Sequence, residues 1–174
     1  MPGHRFADLS EPGYGAALVN DGRYGHHALG NELGLSLLRS PIWPDPLADE
    51  GAQQLTYALY PHTGGWLEGG VLAEAEDLNR PLLVRRTSAP VGSSLRPLRV
   101  GGLPVALGAL KVLEDAGGLL LRVYEPEGAR GRVTLELPSG WDTDATLDLL
   151  EQPAGPAALE LEPFAVRTWR LRRA

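Results

Sequence analysis

The chain has 174 residues, 43% hydrophobic and 22% charged, with a formal net charge of −6 and no cysteine. That balance excludes a disordered chain and a nucleic-acid surface, which needs a basic patch. It also excludes a disulfide framework and thiolate chemistry. The length fits one domain or two small ones. Neither an apolar leader nor a run of membrane-spanning length is read in it, so a cytoplasmic protein without membrane contact is expected.

Glycine (22) and proline (15) are abundant and stand between short apolar runs, the punctuation of an all-β fold. The first elements are a strand–turn–strand signature over Arg5–Gly15 and Leu18–Gly25, with turns at Glu11-Pro12-Gly13 and Asn20-Asp21-Gly22. It starts almost at residue 1, which is expected of the tail of something larger. Leu33, Leu35 and Leu37 alternate with Gly34 and Ser36, and Leu55, Tyr57 and Leu59 repeat the pattern. Successive strand residues point to opposite faces, so each set predicts the buried face of a half-buried strand.

Trp66–Asn79 departs from period two. Leu67, Val71, Leu72, Ala75 and Leu78 share a helical stripe, with Glu68, Glu74 and Glu76 off it and Pro81 as the stop. The spacing predicts one helix over a sheet edge or face, although Gly69-Gly70 inside it costs about 1 kcal/mol per glycine relative to alanine.

Ser88–Ser94, with Pro90 and Gly92, reads as the internal boundary, and Pro97 beyond it as an edge strand or strand start. The division expected is 1–90, part of a large β-sandwich, and 91–174, a smaller one. Alternation returns in Leu119/Leu121/Val123, Val133/Leu135/Leu137 and Leu159/Leu161, separated by turn signals at Asp115–Gly118, Pro126–Gly128 and Pro138–Gly140. Roughly a dozen short strands predict an antiparallel sandwich with one helix. Arg172-Arg173 reads as a solvated basic tail.

For chemistry, His26-His27 is the first candidate. Metal ligands must converge on one point at about 2.0 Å, whereas neighbours on a strand diverge. The pair is therefore expected to be half-exposed strand or turn histidines, and no metal is assigned. Asp45, Asp49 and Glu50 flank Trp43-Pro44 and Pro46 in a loop and read as solvated, as does Asp142–Asp148 at a strand edge. No nucleophile elbow, phosphate loop or dinucleotide fingerprint is present. Arg23 and Tyr24 follow the tight turn Asn20-Asp21-Gly22. An arginine there can aim five donors at sugar hydroxyls or a carboxylate, with Tyr24 adding an apolar face and a polar tip; the alternative is a surface arginine paired with Asp21 or Asp8. Trp169 alternates with Leu171 as a packing residue, and Trp43 is the surface aromatic.

The runs His4–Ser10, Leu18–Gly25, Leu35–Pro41, Pro44–Asp49, Tyr57–His62 and Ala75–Leu82, then Ala109–Asp115, Leu121–Glu125, Asp148–Glu151 and Leu161–Thr168, resemble in order the C-terminal region of bacterial α-mannosidases of glycoside hydrolase family 38. The resemblance implies part of a large, galactose-mutarotase-like supersandwich followed by a smaller β-sandwich. It places the family's aspartate nucleophile and zinc ion in an N-terminal catalytic domain, so no catalytic residue, metal ligand or cofactor is carried over; His26-His27 is followed by Ala28, not by the aspartate of the family's metal motif. It also implies an arginine reaching the sugar site from a turn like Asp21-Gly22-Arg23. Arg23, and with it Tyr24, are thus the expected substrate-binding residues for a mannose-containing glycan. The expected role is carbohydrate binding and structural support, not catalytic alone, with a companion catalytic chain or self-association as partner. The alternatives are a free-standing carbohydrate-binding or protein-docking β module, or a remnant with no independent role.

Overall fold

The computed structural model describes residues 2–86, 88, 98–115 and 117–173. It divides into two compact units, Met1–Ser88 and Ala89–Ala174. The boundary segment read from the sequence lies, Ser88 apart, outside the described residues, as does Pro97. Both units are built from antiparallel strands, with one short helix.

In the first unit β1 (Phe6–Glu11), β2 (Tyr14–Asn20) and β5 (Tyr57–His62) form a sheet in the order β1-β2-β5, and β3 (His26–Leu29) pairs with β4 (Glu32–Leu35) as a hairpin. Pro61 is tolerated because β5 is an edge strand, where a missing N–H breaks no second ladder. The helix α1 (Val71–Asn79) packs on the face that carries Ala17 and Val19. Val71 and Ala75 are buried there, with Phe6, Tyr60, Trp66 and Leu78 around them.

The helix is shorter than its stripe. Gly70 is its N-cap in a left-handed conformation (φ 68°), so the two glycines form the entry to the helix and Leu67 lies outside it, exposed. Glu76, expected on the solvent side, is half-buried and bridges Arg5 and Arg80. The face of β5 is also the reverse of the expectation. Tyr57 (56% exposed) and Leu59 (67%) face outward, while Tyr60 and His62 turn toward the helix side.

Register explains that reversal. His62 stands opposite Gly15, and Gly15 opposite Ser10. With no side chain on Gly15, the imidazole reaches across β2 to Asp8, Nε2 to Oδ1 at 2.7 Å, while Ser10 hydrogen-bonds the other Asp8 oxygen. A buried histidine needs such a partner, and period two alone cannot say which face supplies it.

The second unit is a sandwich of a five-stranded sheet, order β11-β10-β13-β8-β7, and a three-stranded sheet, order β12-β9-β6. Its strands are β6 (Arg99–Gly102), β7 (Ala106–Val112), β8 (Leu119–Tyr124), β9 (Gly131–Glu136), β10 (Trp141–Leu147), β11 (Pro153–Gly155), β12 (Glu160–Leu161) and β13 (Val166–Arg173). Leu121, Val123, Val133, Leu161, Trp169 and Leu171 fill the space between the sheets, as their alternation predicts. Trp169 is fully buried and donates its indole N–H to the Ala158 carbonyl at 2.9 Å. Leu120, on the other face of β8, packs against Leu113, Ala145 and Leu147.

Two polar expectations change here. Asp142 and Asp144 lie on an interior strand, β10, with Asp148 just beyond its end, and Asp144 accepts two hydrogen bonds from Arg170 at 2.8 and 2.9 Å. Arg172-Arg173 is the end of β13, paired in register with Asp142 and Trp141, not a tail. Glu125, 2% exposed, closes the β8–β9 turn by accepting the backbone N–H groups of Glu127, Gly128 and Phe164. Burial pushes its carboxyl up, but those backbone donors outweigh it and hold the group below the usual carboxylate range.

A Cβ on residue 15 would stand 2.3 Å from the His62 ring. Gly15→Ala should therefore destabilise the first unit by about 1–3 kcal/mol, the cost of overpacking. Urea unfolding measures it, and an unchanged midpoint would show that His62 does not lie across this strand.

Candidate functional site

The first unit carries a cleft of about 860 Å³ lined by Arg23, Tyr24, His26, Leu37, Arg39 and Asp49, among others. It is built where β2 ends. Asn20, the last residue of that strand, is fully buried. Its side-chain Oδ1 accepts the N–H groups of Gly22 (3.0 Å) and Arg23 (2.6 Å), an Asx turn that fixes the chain as it leaves the sheet. Asn20 N–H donates to Arg5 O, and Asn20 O accepts from the Asn79 side chain at the end of α1. The Tyr24-Gly25 backbone is then gripped from both sides, with Gly3 N–H donating to Tyr24 O (3.0 Å) and Ser36 N–H to Gly25 O (2.7 Å).

The opposite wall is the irregular stretch after β4. Leu37, expected to continue a strand, lies beyond it. Asp49, read from the sequence as a solvated loop residue, organises this wall: one carboxylate oxygen accepts the N–H groups of Arg39 (3.0 Å) and Ser40 (2.6 Å). Ser40 has φ 49°, the left-handed turn that lets two successive N–H groups converge on one anion. Trp43 stands on the same stretch and is 83% exposed, as expected of a surface aromatic.

The structure thus places both predicted residues, Arg23 and Tyr24, on one cleft. Among the described residues no hydrogen bond or ion pair holds the Arg23 guanidinium. Asp8, one partner considered from sequence, is taken by His62 and Ser10. Asp21, the other, is held below the usual carboxylate range first by hydrogen bonds from Thr56, with Arg23 the smallest contributor. Tyr24 stacks on His4 with ring centroids 5.5 Å apart, leaving a half-exposed edge. Chemically the cleft offers a fork of donors, a phenol, a second arginine at position 39 and a carboxylate.

His26 and His27 diverge: His26 is 3% exposed and His27 faces solvent. His26 is therefore more buried than the half-exposed state expected. Among the described residues no three His, Cys, Asp or Glu side chains are grouped to hold a metal. Asn20 and Arg39 were not singled out in sequence, and His26 was weighed there only as a metal ligand. The Asn-Asp-Gly turn signal pointed to the Asn20 backbone, but its side-chain role emerges only in three dimensions.

The fold and the cleft define an antiparallel β-sandwich protein with an arginine-lined recess. The model of the "Glycosyl hydrolases family 38 C-terminal domain" matches residues 1–47, and that of the "Glycosyl hydrolases family 38 C-terminal beta sandwich domain" matches residues 104–169. The chain belongs to the C-terminal region of glycosyl hydrolase family 38. It is 40% identical over 154 residues to human Alpha-mannosidase 2C1, covering 86% of this chain and 15% of that protein. Against Alpha-mannosidase G of Dictyostelium discoideum it is 37% identical over 184 residues, 97% of this chain and 17% of the relative. The chain thus spans about 15–17% of the length of these relatives. A family 38 glycosyl hydrolase structure from Enterococcus faecalis shares the fold, with TM-score 0.77 and 18% identity over 97% of this chain and 22% of that one. No helix among the described residues is long and apolar enough to cross a membrane.

Burial depresses the His26 pKa below its usual value, with a hydrogen bond at the Tyr24 backbone working the other way. A base whose folded pKa is lowered takes up a proton more readily when unfolded. Its contribution to stability is complete above about pH 6.5 and falls away as the pH drops through the folded value. Glu125, also held low, acts in a separate window below about pH 4.3. The melting temperature should therefore fall between pH 7 and pH 5 in the native protein and fall less in His26→Gln. Equal slopes in calorimetry would contradict this.

Proposed function

We propose that the chain is the C-terminal β region of an α-mannosidase-like glycoside hydrolase, and that its cleft holds part of a mannose-containing glycan through Arg23 and Tyr24. The observation that carries this is the state of Arg23: its backbone is fixed by an Asx turn, while among the described residues no hydrogen bond or ion pair ties down its guanidinium at the cleft. An arginine held this way has its donors preorganised toward a ligand. The supporting likeness is to proteins named as α-mannosidases.

The role is binding and support. Retaining glycosidases use two carboxyl groups about 5–5.5 Å apart, and Asp49 is the one carboxylate among the described lining residues, its Oδ2 already engaged by the Arg39 and Ser40 N–H groups. The reactive groups on this reading belong to a catalytic domain, within one polypeptide or on a companion chain. The outward face of the sheet β1-β2-β5 fits such a partner. Tyr14, Tyr57 and Leu59 are exposed there, and Tyr14 and Leu59 border a second recess of about 640 Å³ with Leu9, Leu18 and Leu33. The same face would serve a docking module, the second reading. The compartment assigned is the cytoplasm, consistent with a chain that needs no disulfide to fold.

Titration with methyl α-D-mannoside, followed by tryptophan fluorescence and calorimetry, tests the assignment. Saturable binding should weaken about tenfold or more in Arg23→Ala, the loss of one charge-assisted hydrogen-bonding group, and less in Tyr24→Ala. Binding unaffected by Arg23→Ala would remove the cleft from the sugar site.

A further inference from the structure

We infer that Asn20 and His26 are the positioning residues of Arg23: the buried Asn20 side chain, oriented by His26, sets where the guanidinium stands in the cleft. This rests on the sugar-binding reading above. The argument is a chain of forced assignments. Two backbone N–H groups, of Gly22 and Arg23, converge on one end of the Asn20 side chain at 3.0 and 2.6 Å. Only the carbonyl oxygen can accept both, so the amide cannot be turned the other way. Its NH₂ group therefore faces the His26 Nε2, at 3.3 Å. A donor there requires Nε2 to present its lone pair. His26 must then be neutral, with its proton on Nδ1.

The location fits that role. Asn20 is fully buried and His26 is 3% exposed, so both are shielded from water that could otherwise satisfy them. Gly3 leaves room for the imidazole: a Cβ on residue 3 would stand 2.9 Å from His26 Nδ1. Burial lowers the His26 pKa, the direction the assignment needs. His26 begins β3, and Asn20 ends β2, so the pair spans the loop 21–25 at its base. Arg23 sits in that loop, three residues from each of them. A guanidinium on a loop without this clamp would sample many positions and lose affinity to ordering entropy.

The test combines three readouts on the full chain. Imidazole nitrogen shifts in the native protein should show His26 as the Nδ1–H tautomer at neutral pH; the Nε2–H tautomer or an imidazolium would overturn the assignment, and this needs neither a variant nor a sugar. Asn20→Asp keeps the acceptor for both N–H groups and should leave the Gly22 and Arg23 amide signals in place, with mannoside affinity within about threefold. Asn20→Leu removes the acceptor and should displace both signals and weaken methyl α-D-mannoside binding as far as Arg23→Ala does, while Asn20→Leu combined with Arg23→Ala should be no weaker than Arg23→Ala alone. Additive losses in the combined variant, or unmoved Gly22 and Arg23 amides in Asn20→Leu, would overturn the positioning role. If the native protein does not bind the mannoside at all, the sugar reading fails, while the tautomer and the amide signals still decide whether Asn20 and His26 clamp the turn. If Asn20→Leu does not fold, the tautomer decides.

Discussion

One buried carboxamide organises the first unit. Asn20 ends the central strand of its sheet, and every polar atom it owns is in use. Its N–H donates to Arg5, its carbonyl accepts from Asn79 on the helix, its side-chain oxygen shapes the turn, and its side-chain nitrogen meets His26. Sheet, helix, turn and cleft wall thus share one residue. Inside a protein such a network is stabilising only when every member is satisfied. That condition is what makes the position of Arg23 a consequence of the fold.

A second polar pin works on the same principle. Asp8, Ser10 and His62 come from strands on either side of β2 and meet above Gly15 because that residue has no side chain to stand between them. In the second unit the counterpart is Glu125, whose carboxylate gathers the β8–β9 turn and the Phe164 N–H. The apolar cores are conventional by comparison: Trp169 and the leucines and valines of β8, β9, β12 and β13 exclude water between two sheets. Burial holds the units together, and these few carboxylate, amide and imidazole contacts decide how their turns are shaped.

That division explains what could be read from sequence. Alternation in Leu119–Val123, Val133–Leu137 and Leu159–Leu161 locates the second core directly, since each apolar set has polar neighbours that must face water. In β5 the same rule misleads: Tyr57 and Leu59 look like the inner face, yet His62 is buried because Asp8 waits for it across the sheet. The helix was legible in its stripe but not in its start, because Gly70 serves as a left-handed cap and not as an interior residue. Leu37 continues an alternation by chance of composition, and Asp49 then ties that stretch into an irregular wall. Arg23 was a candidate because a tight turn precedes it and the resemblance implies an arginine there, and it lines the cleft. Asn20, Arg39 and the place of His26 beside Asn20 could not be read from sequence, because they come from contacts or a shared cleft wall that spacing does not encode.

The chain belongs to the C-terminal region of glycosyl hydrolase family 38, and its first unit carries the arginine-lined cleft. The account stands on Arg23 being delivered to that cleft by the Asx turn. A crystal of the chain soaked in methyl α-D-mannoside tests it most directly. The account predicts the sugar in the cleft between the Arg23 turn and the Arg39 wall, with the guanidinium donating to its hydroxyls. A sugar bound elsewhere, or Arg23 turned away onto Asp21 with the cleft empty, would contradict it.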